Sequence, residues 1–136
     1  MRMNELPVIN KTVQNLIALR DAVVNRDSAR FDMDTFRSCG MVCCAAGSLA
    51  ETEYGQMLGL RFEAKNGSGV HETLIYRGND GTRYVGYEAC AWALGLRYSD
   101  SCYLFAPQKY RDFDDRTIIE KHEVLARIGE MIAKYS

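Results

Sequence analysis

The chain has 136 residues, with 17 Lys and Arg against 18 Asp and Glu, so its formal net charge is -1. This balance excludes a general electrostatic attraction to nucleic acid or to an anionic membrane surface. Hydrophobic residues make up 47% of the sequence, which is enough for a real core. The length fits one domain, and we expect residues 1–136 to fold as a single unit.

The sequence shows no targeting or membrane-spanning segment. No stretch approaches the roughly 20 apolar residues that cross a bilayer, and the N-terminal MRMNELPVINK lacks the apolar region of a signal peptide. The five cysteines are odd in number and two of them are adjacent, which suits free thiols better than a disulfide framework. We therefore expect a cytoplasmic protein without a membrane partner.

The first part of the chain predicts two helices joined by a connector. Apolar residues recur at helical spacing over about 12–25, and Asn10 or Thr12 is the candidate cap. Residues 30–36, RFDMDTF, form a connector whose aromatic and methionine side chains are expected to enter the core. A second helix is predicted over 39–54, where small residues allow another backbone to approach closely, as in a central helix crossed by its neighbours.

The middle of the chain changes to a β pattern. Asn66-Gly67 and Asp80-Gly81 are dipeptides typical of hairpin turns. Aromatic and β-branched residues dominate the segments around them. We predict a small antiparallel ribbon of two or three strands, at about 60–64, 71–76 and 82–85.

The last third of the chain returns to helix. EACAWAL predicts a helix over 88–94 that ends at a glycine, and a short helical turn follows until Pro107 stops it. Residues 108–116 are expected to form a polar connector. Thr117 and Glu120 have the spacing of a capping box for the final helix. Its predicted buried stripe consists of Ile118, Leu125, Ile128, Ile132 and Tyr135.

These elements predict an α+β fold that is mainly α. We expect a compact helical domain of about four main helices with a small antiparallel β-ribbon at about 60–85.

Three of the five cysteines lie in the segment FRSCGMVCCAAGSLAE. Cys39 is the best candidate for a reactive thiol, because the start of a helix favours the thiolate. In the simpler interpretation, Cys43, Cys44 and Cys90 are small hydrophobic side chains in a tight core. A structural zinc site remains open, but it needs four ligands, usually in two close pairs. The second pair would have to come from Cys90, Cys102, His71 or His122.

Tyrosines and the one tryptophan are dense in the second half of the chain. Some of them must be exposed, and both residue types are enriched at the centres of protein–protein interfaces. A stacking platform for nucleic-acid bases is the rival interpretation, which the neutral charge balance weakens. His122 is a candidate general base, but no sequence motif of a known catalytic centre accompanies it.

Five segments of the chain form a recognisable series. They read LIALRDAV at 16–23, FDMDTF at 31–36, CGMVCCAAGSLA at 39–50, ACAWALGL at 89–96 and YLFAP at 103–107. The series resembles a family of small, largely uncharacterised proteins of bacteria and their phages, in which an F-D-M-x-x-F segment precedes a C-G-T-x-x-C-x-A-G motif. The family's cysteine pair falls on Cys39 and Cys44, whereas its threonine is Met41 here and its tryptophan is Ser48.

The resemblance implies a context and no defined activity. Such genes resemble accessory genes of phages and mobile elements, whose products often bind a host protein, including host defence machinery. We therefore expect a non-enzymatic interaction module that binds and modulates a host protein. The ribbon, which reads as an insertion, supplies the predicted contact residues: Tyr76, Arg77, Arg83, Tyr84 and Tyr87.

Two further possibilities stay open from the sequence. The alternative function is a metal- or thiol-dependent protein centred on Cys39 and Cys44, with zinc as the one cofactor considered. The exposed aromatic residues also allow self-association into a homodimer. Nucleic acid is not an expected partner.

Overall fold

A computed structural model describes residues 10–38, 41–65, 68–111 and 118–136. The fold is α+β and mainly α, with a small antiparallel sheet, as the sequence predicted. The helices are α1 (Lys11–Asn25), α2 (Ala45–Ala50), α3 (Glu53–Leu58), α4 (Tyr87–Leu94), α5 (Tyr98–Phe105), α6 (Pro107–Arg111) and α7 (Lys121–Tyr135), with a 3₁₀ turn at Ser28–Arg30. The strands are β1 (Arg37–Ser38), β2 (Arg61–Lys65), β3 (Ser68–Arg77) and β4 (Arg83–Val85).

Helix α1 begins after Asn10, one of the two predicted caps. The side chain of Asn10 accepts a hydrogen bond of 2.9 Å from the backbone N–H of Val13, which satisfies one of the free donors of the first turn. Leu16, Leu19 and Val23 are fully buried and pack against the core. Helical periodicity therefore identified this element. It also placed Val24 on the buried face, which is wrong, because Val24 is 55% exposed.

A buried asparagine joins α1 to two other helices. Asn15 is only 3% exposed. Its amide nitrogen donates to the carbonyl oxygen of Leu94 at 3.0 Å, and its amide oxygen accepts from the hydroxyl of Tyr54 at 2.7 Å. The bond to Leu94 satisfies a carbonyl at the end of α4, which has no partner within its own helix.

The prediction of one helix over 39–54 is wrong. Its first two positions lie outside the described residues, and the part before α2 consists of a turn at Met41 and two isolated β-bridges at Val42 and Cys43. Cys43 exchanges two backbone hydrogen bonds of 3.0 Å with the neighbouring segment, one with Arg30 and one with Asp32. Cys44 is the N-cap of α2, so the helix starts at Ala45. It ends at Ala50, and two residues separate it from α3.

The predicted close packing of this segment is confirmed. All residues of α2 are buried, and α1 packs across it. A Cβ atom added at Gly47 would overlap the backbone carbonyl oxygen of Phe36. Glycine is therefore required at this position by the neighbouring backbone and not by its own dihedral angles.

The predicted antiparallel ribbon is confirmed, with one addition. β3 is the central strand and pairs with β2 along one side. On its other side, β3 pairs with β1 near its beginning and with β4 near its end. Asp80-Gly81 forms the β3–β4 turn, where Gly81 has a φ of 85°, while Asn66-Gly67 lies outside the described residues. The sequence did not predict β1.

Among the described strands, β2 pairs with β3 alone, so its other side is an edge of the sheet. Charged residues alternate along this edge at Arg61, Glu63 and Lys65. The register against β3 shifts between Ala64 and Lys65, which marks a bulge or irregularity.

The chain between α4 and α6 follows the prediction only in part. Gly95 ends α4 in the left-handed conformation, with a φ of 81°. Pro107 does end α5, but it also begins α6, because proline is well tolerated in the first turn of a helix. The first residues of the predicted connector 108–116 are therefore helical, and its last five lie outside the described residues.

Helix α7 starts later than predicted. Its N-cap is Glu120, whose backbone N–H donates to the carboxylate of Glu123 at 2.8 Å. Thr117 lies outside the described residues, and Ile118 precedes the helix and is 68% exposed. Of the predicted stripe, Ile128 is fully buried while the other three are partly buried. The residues that α7 buries are Val124, Ile128 and Met131.

An arginine joins α5, α6 and α7. The guanidinium carbon of Arg127 lies 4.1 Å from the ring centre of Tyr103 and 3.7 Å from that of Tyr110. Its nitrogens donate to the backbone oxygens of Tyr103 at 2.7 Å and Lys109 at 2.9 Å. The side chain is thus both stacked and hydrogen bonded. Over the described ranges, no helix has the length and apolar character needed to cross a membrane.

Candidate protein interaction surface

Three aromatic rings form a continuous stack on one side of the protein. Tyr76 of β3 and Tyr84 of β4 are opposite each other in the strand register, with ring centres 6.4 Å apart. The ring of Tyr84 in turn stacks on Trp92 of α4 at 4.8 Å, with 23° between the planes. Both distances are typical of attractive aromatic pairs. We call these residues the aromatic stack.

The aromatic stack passes from the core to the surface. Tyr76 packs against the hydrophobic core, and Tyr84 is half-buried. Trp92 is 56% exposed, although it is the largest side chain of the three. One end of the stack is therefore held by the fold, and the other end presents a large apolar ring to solvent.

Trp92 also lines a groove of about 520 Å³. One side of the groove is a face of α4, built from residues at the i, i+3, i+4 and i+7 spacing of a helix. The other side is the turn after α4 and the first residue of α5. The lining residues are Glu88, Ala91, Trp92, Gly95, Leu96 and Tyr98.

Two side chains give this groove its chemical character. Tyr98 is 57% exposed, and interaction with the thiol of Cys102 raises the pKa of its hydroxyl. Glu88 is exposed and makes no hydrogen bond or ion pair with any described residue. The groove thus combines aromatic rings with a carboxylate that forms no ion pair among the described residues.

The strand residues of the predicted binding set divide between the two faces of the sheet. Side chains alternate along a strand, so Tyr76 and Tyr84 point to the face that carries α4. Arg77 and Arg83 are opposite each other on the outer face. Arg83 forms an ion pair with Glu63 of β2 on that face. The structure brings the two tyrosines together and separates them from the two arginines.

The fifth predicted residue, Tyr87, lies on the inner side of α4. Its ring centre is 5.6 Å from that of Phe36, and it packs against the core. Burial raises the pKa of its hydroxyl to about 12. Tyr87 therefore contributes to packing at the base of α4 and is not part of the aromatic stack.

The predicted contact residues did not include Trp92 or Glu88, although the tryptophan was counted among the aromatic residues suited to an interface. A signal for them was present, because the helix EACAWAL places its alanines, cysteine and leucine largely on one side. Residues four apart share a helical face, so Glu88 and Trp92 had to lie together on the other side.

Three of the described cysteines are buried, two of them in the motif and one in α4. Cys43, Cys44 and Cys90 have no more than 2% of their surface exposed. Burial raises the pKa of Cys43 to about 12 and that of Cys44 to about 11. A raised pKa favours the neutral thiol, which is a poor nucleophile and metal ligand. Cys39 lies outside the described residues, so a centre that includes it stays a prediction.

The other polar side chains of the described residues form neither a metal cluster nor a catalytic motif around His122. No three His, Cys, Asp or Glu side chains within the described ranges are grouped so that they could hold a metal ion. His122 is exposed in the first turn of α7.

Comparison with known proteins finds no match for this chain. No family model matches it, and neither a curated protein nor a solved structure matches it. The resemblance to the bacterial and phage family therefore stays a prediction.

Proposed function

We propose that this protein is a non-enzymatic interaction module that binds and modulates a host protein. Its contact surface consists of the aromatic stack and the adjoining groove. The observation that carries the proposal is Trp92, a tryptophan more than half exposed between a stacked tyrosine and an open apolar groove. Tryptophan and tyrosine are the residues most enriched among those that dominate binding energy at protein interfaces.

The geometry of the aromatic stack also favours binding. Tyr76 is fixed against the core, and each further ring is held by the one before it. A preorganised ring loses little conformational entropy when a partner covers it, so more of the contact energy is available as affinity.

The class of partner rests on a different argument. The family resemblance favours a phage- or prophage-type accessory protein, and such proteins often act on a protein of the host. This part of the proposal has its support in the sequence motif and not in the geometry of the groove.

A thiol-dependent function centred on Cys39 and Cys44 has less support. The environment of Cys44 raises the pKa of its thiol to about 11, whereas a reactive thiol needs a lowered one. We therefore place the interaction surface first.

The test compares variants that remove exposed side chains of similar character. Trp92→Ala and Tyr84→Ala change the proposed surface, and Met57→Ala removes a side chain that is 78% exposed and lies outside the groove. Each variant is used to capture proteins from the host lysate, and a captured protein is then purified and titrated by calorimetry. We expect Trp92→Ala to weaken binding about tenfold or more and Met57→Ala to leave it unchanged.

Equal affinity of the wild type and both surface variants, with circular dichroism confirming that they fold, contradicts the proposed surface.

A further inference from the structure

We infer that the groove beside Trp92 receives an arginine side chain of the partner protein. The inference rests on the proposed function and adds the chemistry of the occupant. It is carried by three properties of the groove: its exposed rings, its free carboxylate and its apolar floor.

Charge complementarity defines the sign of the occupant. Glu88 stands at the groove without a hydrogen bond or ion pair to any described residue. Of the described residues that line the groove, none is a lysine or an arginine. The face of an aromatic ring is also negative and attracts cations. Carboxylate and rings therefore attract the same kind of group.

Elsewhere in the protein, an aromatic ring and a carboxylate together bind an arginine side chain. The guanidinium carbon of Arg37 lies 3.7 Å from the ring centre of Phe62, and the same side chain forms an ion pair with Glu72. A ring and a carboxylate together hold the arginine in that case. The groove presents the same two groups, with Trp92 as the ring and Glu88 as the carboxylate.

Arginine fits this groove better than lysine does. A guanidinium is planar, so it stacks on a ring and can still donate hydrogen bonds in its own plane to a carboxylate. It is also less strongly hydrated than an ammonium group. The three methylene groups of an arginine would lie on the apolar floor formed by Ala91 and Leu96.

The single tryptophan of the chain allows a direct test. The fluorescence of Trp92 is titrated with the peptide acetyl-Gly-Gly-Arg-Gly-Gly-amide and with the same peptide carrying citrulline, which has the shape of arginine but no charge. N-acetyltryptophanamide measured in parallel corrects for collisional quenching. We expect saturable binding of the arginine peptide and an affinity about two- to fivefold weaker for the citrulline peptide.

A pair of matched variants tests the role of the carboxylate. Glu88→Gln removes the charge at the groove, whereas Glu53→Gln removes an exposed charge in the first turn of α3. We expect Glu88→Gln to bind the two peptides equally and Glu53→Gln to keep the preference for arginine. Added salt should weaken the arginine peptide alone. Thermal unfolding of both variants checks that the fold is kept.

Three results overturn the inference. The first is equal binding of the arginine and citrulline peptides by the wild type, and the second is no saturable change with either peptide. The third is self-association in sedimentation experiments that Trp92→Ala abolishes, which assigns the groove to a second copy of the chain. The proposed function fails separately, if the captured partner binds Trp92→Ala as tightly as the wild type.

Discussion

Helices α2 and α4 are both rich in alanine and other small residues, yet they differ in how much of their surface is buried. Every residue of α2 is buried, and the backbone of Phe36 approaches it so closely that position 47 has no room for a Cβ atom. Helix α4 buries its small residues on one side and exposes Glu88 and Trp92 on the other. Small residues thus mark the sides of a helix that another segment covers. The exposed side of α4, which carries Glu88 and Trp92, is the side that we propose to bind a partner.

This comparison ranks substitutions by their effect on the free energy of unfolding. Changes in α2 should have the largest effect, changes where α1, α3 and α4 meet an intermediate one, and changes on the exposed side of α4 the smallest.

The largest effect is expected for Gly47→Ala. The added methyl group overlaps the carbonyl oxygen of Phe36, so α2 or the preceding segment must move. Overpacking of this kind costs about 3 kcal/mol or more when the obstacle is backbone. Urea denaturation followed by circular dichroism measures the change.

Gly129→Ala is the matched control for Gly47→Ala. Gly129 lies in α7, and a Cβ atom added there would meet no atom within 4 Å beyond its chain neighbours and the backbone of its own helix. Alanine is the better helix former, so this variant should gain roughly 0.5–1 kcal/mol. Similar losses for both glycines would mean that close approach is not what distinguishes α2.

The next effect is expected for Asn15→Ala, where α1, α3 and α4 meet. The variant leaves the carbonyl oxygen of Leu94 and the hydroxyl of Tyr54 without the partners they have now. Each unsatisfied buried group costs about 1–3 kcal/mol, and we expect a total loss of about 2–3 kcal/mol in chemical denaturation. Tyr54→Phe removes one of the two bonds and should cost about 1 kcal/mol; a larger loss for Tyr54→Phe than for Asn15→Ala contradicts this account.

A third effect appears only at alkaline pH. The folded-state pKa of Cys44 is raised from the model-compound value of 9.0 to about 11 because the thiol is buried. The unfolded chain therefore loses this proton first, and stability that is complete below pH 9 is lost as the pH rises towards 11. The rise of the pKa from 9.0 to about 11 corresponds to roughly 3 kcal/mol in full, of which about 2 kcal/mol is lost by pH 10.5.

The variant Cys44→Ala should reduce this alkaline loss, measured as the unfolding free energy at pH 8 and at pH 10.5, while the buried thiol of Cys43 continues to contribute. Cys102→Ala is the control, because Cys102 is only partly buried. Identical pH profiles for wild type and Cys44→Ala would show that the thiol ionises as readily in the folded protein as in the unfolded chain.

The smallest effect on stability is expected for Trp92→Ala. The substitution removes the contact with Tyr84 but leaves the core untouched, so the loss should stay below about 1 kcal/mol. The same variant is expected to have the largest effect on partner binding. A thermal melt that falls as far as that of Gly47→Ala would place Trp92 with the core residues.

The sequence predicted those elements whose signals are local. Three of these signals determine the backbone of residues close to them in sequence. They are the periodicity of α1, the glycine after α4 and the turn dipeptide at Asp80. The segment before α2 differs, because its conformation is decided by hydrogen bonds from Cys43 to residues about twelve positions earlier. A cysteine cap for α2 and a glutamate cap for α7 also lie outside the residue types usually preferred there.

The site was predicted only in part for a similar reason. The density of aromatic residues in the ribbon predicted Tyr76 and Tyr84 as surface residues, and their rings stack on each other. The alternation of the strands then separates Arg77 and Arg83 from them. Trp92 joins through α4, a neighbour in space whose position depends on tertiary packing and not on a local motif.

The free side of β2 has a consequence for the behaviour of the protein in concentrated solution. An open strand edge can pair with the edge of another molecule and so start the growth of an intermolecular sheet. The alternating charges of Arg61, Glu63 and Lys65, together with the register shift beside Lys65, make such pairing unfavourable. The protein thus exposes an aromatic side chain on one surface and is protected from aggregation at its strand edge.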